Sequence, residues 1–123
     1  MKPILLVDDS STMLLSMSGI LSRAGFCCET APNAEVALEK VSGGLAPCLV
    51  ITDYHMPGMH GVDLIQQLRR LGPTRFVPML VLTTDTEPEK RMAAKAAGAT
   101  GWLVKPVLPP ALLKVVSQVV PGA

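Results

Sequence analysis

Aromatic side chains are scarce in this sequence: one Trp, one Tyr and two Phe make up 3% of its 123 residues. Hydrophobic residues nevertheless reach 49%. Leu, Val, Ala and the seven Met must therefore fill whatever core the chain builds. Charge of one sign is also missing. Eleven Lys plus Arg against ten Asp plus Glu leave a net charge of +1, which gives neither a basic footprint for direct nucleic-acid binding nor an acidic tail. No apolar run approaches the roughly 18 residues needed to cross a bilayer, so membrane insertion is not expected. The amino terminus MKPILLVDDSS does not read as a signal peptide. Cysteine is limited to Cys27, Cys28 and Cys48, without a C-x-x-C spacing. An odd number, two of them adjacent, points to buried free thiols in a cytoplasmic protein rather than to disulfides or structural zinc.

What is present is a regular alternation. Short apolar runs lie at 4–7 (ILLV), 26–30 (FCCET), 48–52 (CLVIT), 78–83 (PMLVLT) and 101–104 (GWLV). Segments of helical period follow each one. Met13, Met17, Ile20, Leu21 and Ala24 mark a first helix, with Ser10, Ser11 and Thr12 as candidate caps and Gly25 as its stop. Asn33 can cap a second, carrying Val36, Ala37, Leu38 and Val41. Val62, Ile65, Leu68 and Leu71 mark a third, ended by Gly72-Pro73. Glu87 to Ala97 forms a fourth. Pro109 and Pro110 suit the start of a fifth, with Leu112, Leu113, Val115, Val116 and Val119 on its apolar face. Five strand–helix units in strict order predict an α/β, doubly wound, five-stranded parallel sheet in one domain spanning 1–123.

In such a sheet the binding crevice lies at the carboxyl ends of the strands. Asp8 and Asp9 follow the first strand, Asp53 the third, Thr83 and Thr84 end the fourth, and Lys105-Pro106 follows the fifth. Singly, each has an ordinary explanation: a turn aspartate, an N-cap, a β-propensity threonine, a solvated lysine. Together, three carboxylates at one rim repel one another and need a cation, the lysine or protonation to coexist. Hard oxygen ligands suit Mg²⁺. A threonine hydroxyl and a lysine beside them suit the remaining oxygens of a phosphoryl group, and Asp53 suits the nucleophile.

The segments LLVDDSSTM (5–13), VITDYHMPGMHG (50–61), VLTTD (81–85) and GWLVKP (101–106) resemble the receiver domain of two-component response regulators, in particular its CheY-like, chemotaxis-type members. The resemblance covers essentially the whole chain. It implies the flavodoxin-like (βα)5 fold with strand order 2-1-3-4-5. It also implies that Asp53 is the phosphoacceptor, and that Asp9, Asp53 and the backbone carbonyl of His55 ligate Mg²⁺, with Asp8 acting through water. Thr83 and Lys105 would bind the phosphoryl group, Pro106 would follow a cis peptide bond, and Trp102 would stand at the aromatic switch position. Its more ordinary alternative is a partly exposed aromatic lying over the last helix. The implied partners are a histidine kinase or histidine phosphotransfer protein and a downstream protein target. Self-phosphorylation and dephosphorylation would be the only chemistry, and the surface of helix four, strand five and helix five would carry the output.

The chain also departs from that pattern. His60 stands before Gly61 where relatives often have Asp, and is expected as a cap or solvated group. By the same resemblance, His55 and Thr84 occupy positions that in this family flank the phosphoryl group and influence its lifetime. On the first helix, Leu15 is expected to wrap toward the core. Leu14 is expected to extend an exposed apolar patch beside the rim, a candidate docking surface for a kinase or phosphotransfer helix. Three other functions stay open at this point. One is a Mg²⁺-dependent aspartyl-phosphate phosphohydrolase, although His55 replaces the second acid of an Asp-x-Asp pair. Another is an unphosphorylated receiver-like scaffold. The last is copper or zinc binding by His55, His60, Met56 and Met59.

Overall fold

A computed structural model describes residues 2–84 and 88–120. The elements run β1 (Ile4–Val7), α1 (Ser11–Arg23), β2 (Cys28–Ala31), α2 (Ala34–Ser42), β3 (Leu49–Asp53), α3 (Gly61–Leu68), β4 (Met79–Thr83), α4 (Pro88–Ala97), β5 (Gly101–Val104) and α5 (Pro109–Val119). All five strands are parallel, in the order β2-β1-β3-β4-β5. The alternation and the strand order are as expected. Boundaries differ slightly: β2 starts two residues later than FCCET and runs on to Ala31, and β3 includes Asp53 as its last residue. Glu87, assigned to the fourth helix, and Asp85 of the VLTTD segment lie outside the described residues.

Strand side chains alternate between the two sheet faces, and each face builds its own core. Ile4, Leu6, Leu49, Ile51, Leu80 and Leu82 pack against Leu14, Met17 and Leu21 of α1 and Leu112 and Val116 of α5. Leu5, Val7, Val50, Met79 and Val81 pack against Ala34, Ala37 and Val41 of α2, Leu64, Ile65 and Leu68 of α3, and Ala94 and Ala97 of α4. This double coverage explains why β1, β3 and β4 are apolar almost throughout. Local signals end the helices. Ser10 caps α1 by accepting from the Met13 N–H at 3.3 Å. Asn33 caps α2 by accepting from the Val36 N–H at 2.8 Å. Gly25 closes α1 at φ +96°.

The phase of α1 overturns two expectations, an exposed Leu14 and a Leu15 turned toward the core. Leu14 is buried, at 8% exposure, whereas Leu15 is 77% exposed. With the helix starting at Ser11, the Leu14–Met17–Leu21 spacing centres the apolar stripe. Leu15 then points about 130° away from that centre. Met13 and Ile20 flank the stripe half-buried, while Ala24, beyond the last helical residue, is exposed. Leu14 is thus a core residue and presents no docking surface. The thiols also depart from expectation. All three are free, but Cys27 is exposed and Cys28 and Cys48 are half-buried at the amino-terminal edge of the sheet. Strand register places Cys28 beside Ile4, and the Cys48 N–H bonds the Pro3 carbonyl just outside the ladder. Among the described residues no helix is long and apolar enough to cross a membrane.

The α1 phase can be tested by urea denaturation. Leu14→Ala is expected to cost about 2–4 kcal/mol, whereas Leu15→Ala is expected to stay within about 0.5 kcal/mol of the parent. The reverse order would return Leu14 to the surface.

Candidate functional site

The carboxyl ends of β1 and β3 are adjacent because these strands pair directly, Val7 opposite Thr52. Asp8 leaves the end of β1 and Asp53 ends β3, so the register alone brings two carboxylates together. Asp9, on the turn into α1, brings a third. One ligand atom from each of Asp8, Asp9 and Asp53 lies within 4.8 Å of the others. Asp8 is fully buried, Asp53 is 7% exposed and Asp9 is exposed. One oxygen of Asp8 accepts from the Ser10 backbone N–H at 2.9 Å, which fixes the carboxylate over the β1–α1 turn.

Lys105 supplies the opposite charge. Its backbone N–H bonds the Thr83 carbonyl at 2.8 Å, extending the β4–β5 ladder by one residue. The ammonium reaches 3.2 Å from an Asp53 oxygen and 3.4 Å from Asp8. The Lys105–Pro106 peptide is cis, as the resemblance implied. Thr83 is buried at the end of β4, and Thr84 after it is exposed. One ammonium facing three carboxylates leaves the rim with excess negative charge when all are ionised. Burial pushes the Asp53 carboxyl above its usual range, and the neighbouring Asp8 adds to that. The Lys105 ion pair and hydrogen bond, together with the His55 backbone N–H, pull it partly back. A compact set of hard oxygens with this deficit of positive charge fits a small divalent cation.

The rest of DYHMPGMHG does not converge. The Met56 side chain is buried under the loop. Met59 Sδ accepts from Gln67 Nε2 at 3.5 Å. The His55 and His60 rings are exposed, with centroids 6.5 Å apart and nearly perpendicular. His60 takes the N-cap position of α3, but its side chain makes no capping bond among the described residues. Four ligands for copper or zinc are thus not brought to one point. Gly61 has a different task. A Cβ there would collide with the Asp53 carbonyl oxygen, so the start of α3 lies directly against the backbone of the acidic residue. Trp102 is half-buried, but under α4 rather than over the last helix, with Arg91 Cζ 4.6 Å from its ring centre.

Two residues here escaped sequence reasoning. Arg91 and Arg69 both look like ordinary solvated helix charges. Arg69 instead donates to the carbonyls of Thr74, Arg75 and Val77 before β4 and of Gly98 after α4. It ties the ends of two segments together, and burial lowers its pKa.

Comparison with known proteins follows from this geometry. A model of the response regulator receiver domain matches residues 4–117. The chain belongs to that family. This receiver domain is 35% identical over 112 residues to chemotaxis protein CheY1 of Helicobacter pylori, covering 89% of each. It superimposes on chemotaxis protein CheY4 of Vibrio cholerae with a TM-score of 0.92 and 41% identity, covering 97% of this chain and 98% of that one. It is also 36% identical over 111 residues to the sensory/regulatory protein RpfC of Xanthomonas campestris, where it covers 89% of this chain but 15% of that protein. Membership places the chain among CheY-like response regulators of two-component signalling.

The raised Asp53 carboxyl has a consequence for stability. The folded state holds this proton to a higher pH than the unfolded state does. Stability therefore falls as pH rises from the unfolded value, about 3.9, through the folded one, and the loss persists at neutral pH. In Mg²⁺-free buffer Asp53→Asn is expected to be more stable than the parent at pH 7, with the gap closing below about pH 4. Denaturant titrations across that range check this; a destabilised Asn variant at pH 7 would show that the ion pair outweighs burial.

Proposed function

We propose that this chain is a phosphorylation-controlled binding switch in which Asp53 accepts a phosphoryl group from a histidine kinase or histidine phosphotransfer protein. The observation that carries the reading is the convergence of Asp8, Asp9 and Asp53 on one rim, with Lys105 ion-paired to two of them. An Asp53 oxygen attacks the phosphorus of a phosphohistidine. An O–P bond forms, the P–N bond breaks, and its electron pair returns to the imidazole. Asp9, Asp53 and the His55 carbonyl would hold Mg²⁺, with Asp8 acting through water, and the ion would supply the positive charge that lets phosphoryl oxygens approach three carboxylates. Lys105 transfers its ammonium from the carboxylates to a phosphoryl oxygen. The Thr83 hydroxyl donates to another, and both shorten their distance to the new charge.

The product is an acyl phosphate carrying up to about two negative charges. His55 and Thr84 flank it at the mouth of the site, both exposed, and set how water reaches it. Thr83 moves toward the phosphoryl group and vacates space that Trp102 takes, which alters the face formed by α4, β5 and α5 and so its affinity for a downstream protein. The chemistry ends with its own acyl phosphate, in the cytoplasm, without nucleic acid or membrane as direct partner. A role in chemotaxis or motility is supported by relatives named as chemotaxis proteins.

Acetyl phosphate with Mg²⁺, read by intact-mass and peptide mass spectrometry, tests the reading. One phosphoryl group on Asp53 is expected, none in Asp53→Asn, and a large loss of acceptance or of Trp102 response in Lys105→Met. No incorporation, or steady turnover of a free phosphoester, would overturn it, the second outcome in favour of a phosphohydrolase.

A further inference from the structure

Helix α4 is attached to the domain unevenly. Its buried side chains, Ala94 and Ala97, lie in its carboxyl-terminal half, where Arg69 also grips the Gly98 carbonyl. The amino-terminal half presents Lys90 and Arg91 instead, and each meets an aromatic ring. Lys90 Nζ lies 5.9 Å from the centre of Tyr54, and Arg91 Cζ lies 4.6 Å from the centre of Trp102. Apolar burial thus anchors one end of the helix and cation–π contacts support the other.

The Arg91 contact has two opposed parts. A guanidinium is planar and weakly hydrated and stacks well on an indole, the strongest of the cation–π rings. Its Nε, however, is buried and has no hydrogen-bond partner among the described residues. A buried donor without an acceptor is costly and regains water if the side chain swings out. The stack is therefore held by the ring face and opposed by the dry Nε, a balance that a reversible latch requires.

Between Trp102 and Thr83 lies a small gap, walled also by Tyr54, Val81, Ala94 and Arg91. The space open to a water's centre there is about 10 Å³, enough for roughly one water. The Arg91 guanidinium both covers the indole face and helps to wall this gap.

We infer that Arg91 is the positioning residue of the switch: it holds Trp102 in its half-exposed orientation in the unphosphorylated protein and must leave the indole face before the ring turns inward. This rests on the phosphorylation reading above and adds to it a residue specific to the regulation of that site. A phosphoryl group shifts the orientation only by its differential interaction with the two states, so Arg91 sets how much of that interaction is needed.

The single Trp makes the test direct. Protein labelled with 5-fluorotryptophan gives a ¹⁹F signal from Trp102 alone, read with and without beryllofluoride and Mg²⁺. Arg91→Ala removes the stack, Arg91→Met keeps bulk without charge, and Arg91→Lys keeps charge. Circular dichroism checks that each folds. Without beryllofluoride, the Ala and Met variants are expected to raise the population of the activated-state signal by about tenfold, with Lys close to the parent. Spectra of the Ala and Met variants identical to the parent in both conditions would overturn the role of Arg91, as would a Lys variant that behaves like Ala. If the parent itself takes no phosphoryl group on Asp53, the phosphorylation reading fails. A parent that is phosphorylated and shifts its ¹⁹F signal, beside variants that do not differ from it, would remove the Arg91 inference alone.

Discussion

Three carboxylates meeting at the end of two adjacent strands is the arrangement on which the rest of this domain depends. Asp8 and Asp53 are fixed by β1 and β3, whose pairing leaves little freedom to separate them. Like charges in a partly dry rim repel, and burial adds to the cost at Asp53. Lys105 arrives from the far side of the sheet to offset part of this, delivered by a ladder bond to Thr83. The strand order matters here, because the chain reverses its direction of growth between β1 and β3 and leaves a crevice there. The acidic residues stand in that crevice and the lysine closes it.

Such a site is a local deficit that the cores must carry. Both sheet faces are covered by helices, and β1, β3 and β4 are buried throughout. That packing keeps the rim in place, while α4 buries only two small side chains, Ala94 and Ala97. Arg69 holds its carboxyl-terminal end through the Gly98 carbonyl, while Tyr54 and Trp102 lie against its other end. The acidic rim thus lies beside a helix with few buried side chains, the kind of two-state element that a local charge change at Asp53 would bias under the proposed function.

Much of this was legible from residue order. Apolar runs ending in Asp8, Asp53 and Thr83 located the strand ends, because a parallel sheet forces buried strands to be continuous in hydrophobicity. Ser10, Asn33 and Gly25 marked helix ends through local hydrogen bonding or backbone conformation. The phase of α1 was misread because Met13, Ile20 and Ala24 formed a plausible stripe offset from the true one, and Leu14 and Leu15 are chemically identical neighbours that only tertiary packing distinguishes. The thiols were misplaced because Cys27 and Cys48 lie at the sheet edge, where apolar character no longer implies burial. Arg69 and Arg91 carried no signal, since an arginine in a polar helical stretch looks the same whether its guanidinium meets water, carbonyls or an indole. Trp102 stands at the position the resemblance marks, but its neighbour across the sheet edge comes from α4 and leaves no mark in the nearby sequence.

An acidic rim with excess negative charge fits a divalent cation. Equilibrium denaturation at pH 7 with and without Mg²⁺ tests it most directly. Binding to the folded state alone adds about 2.7 kcal/mol when the free ion reaches a hundred times its dissociation constant. Such a gain is expected in the parent, with its near disappearance in Asp9→Asn and Asp53→Asn. A parent whose stability is unchanged by millimolar Mg²⁺ would contradict it.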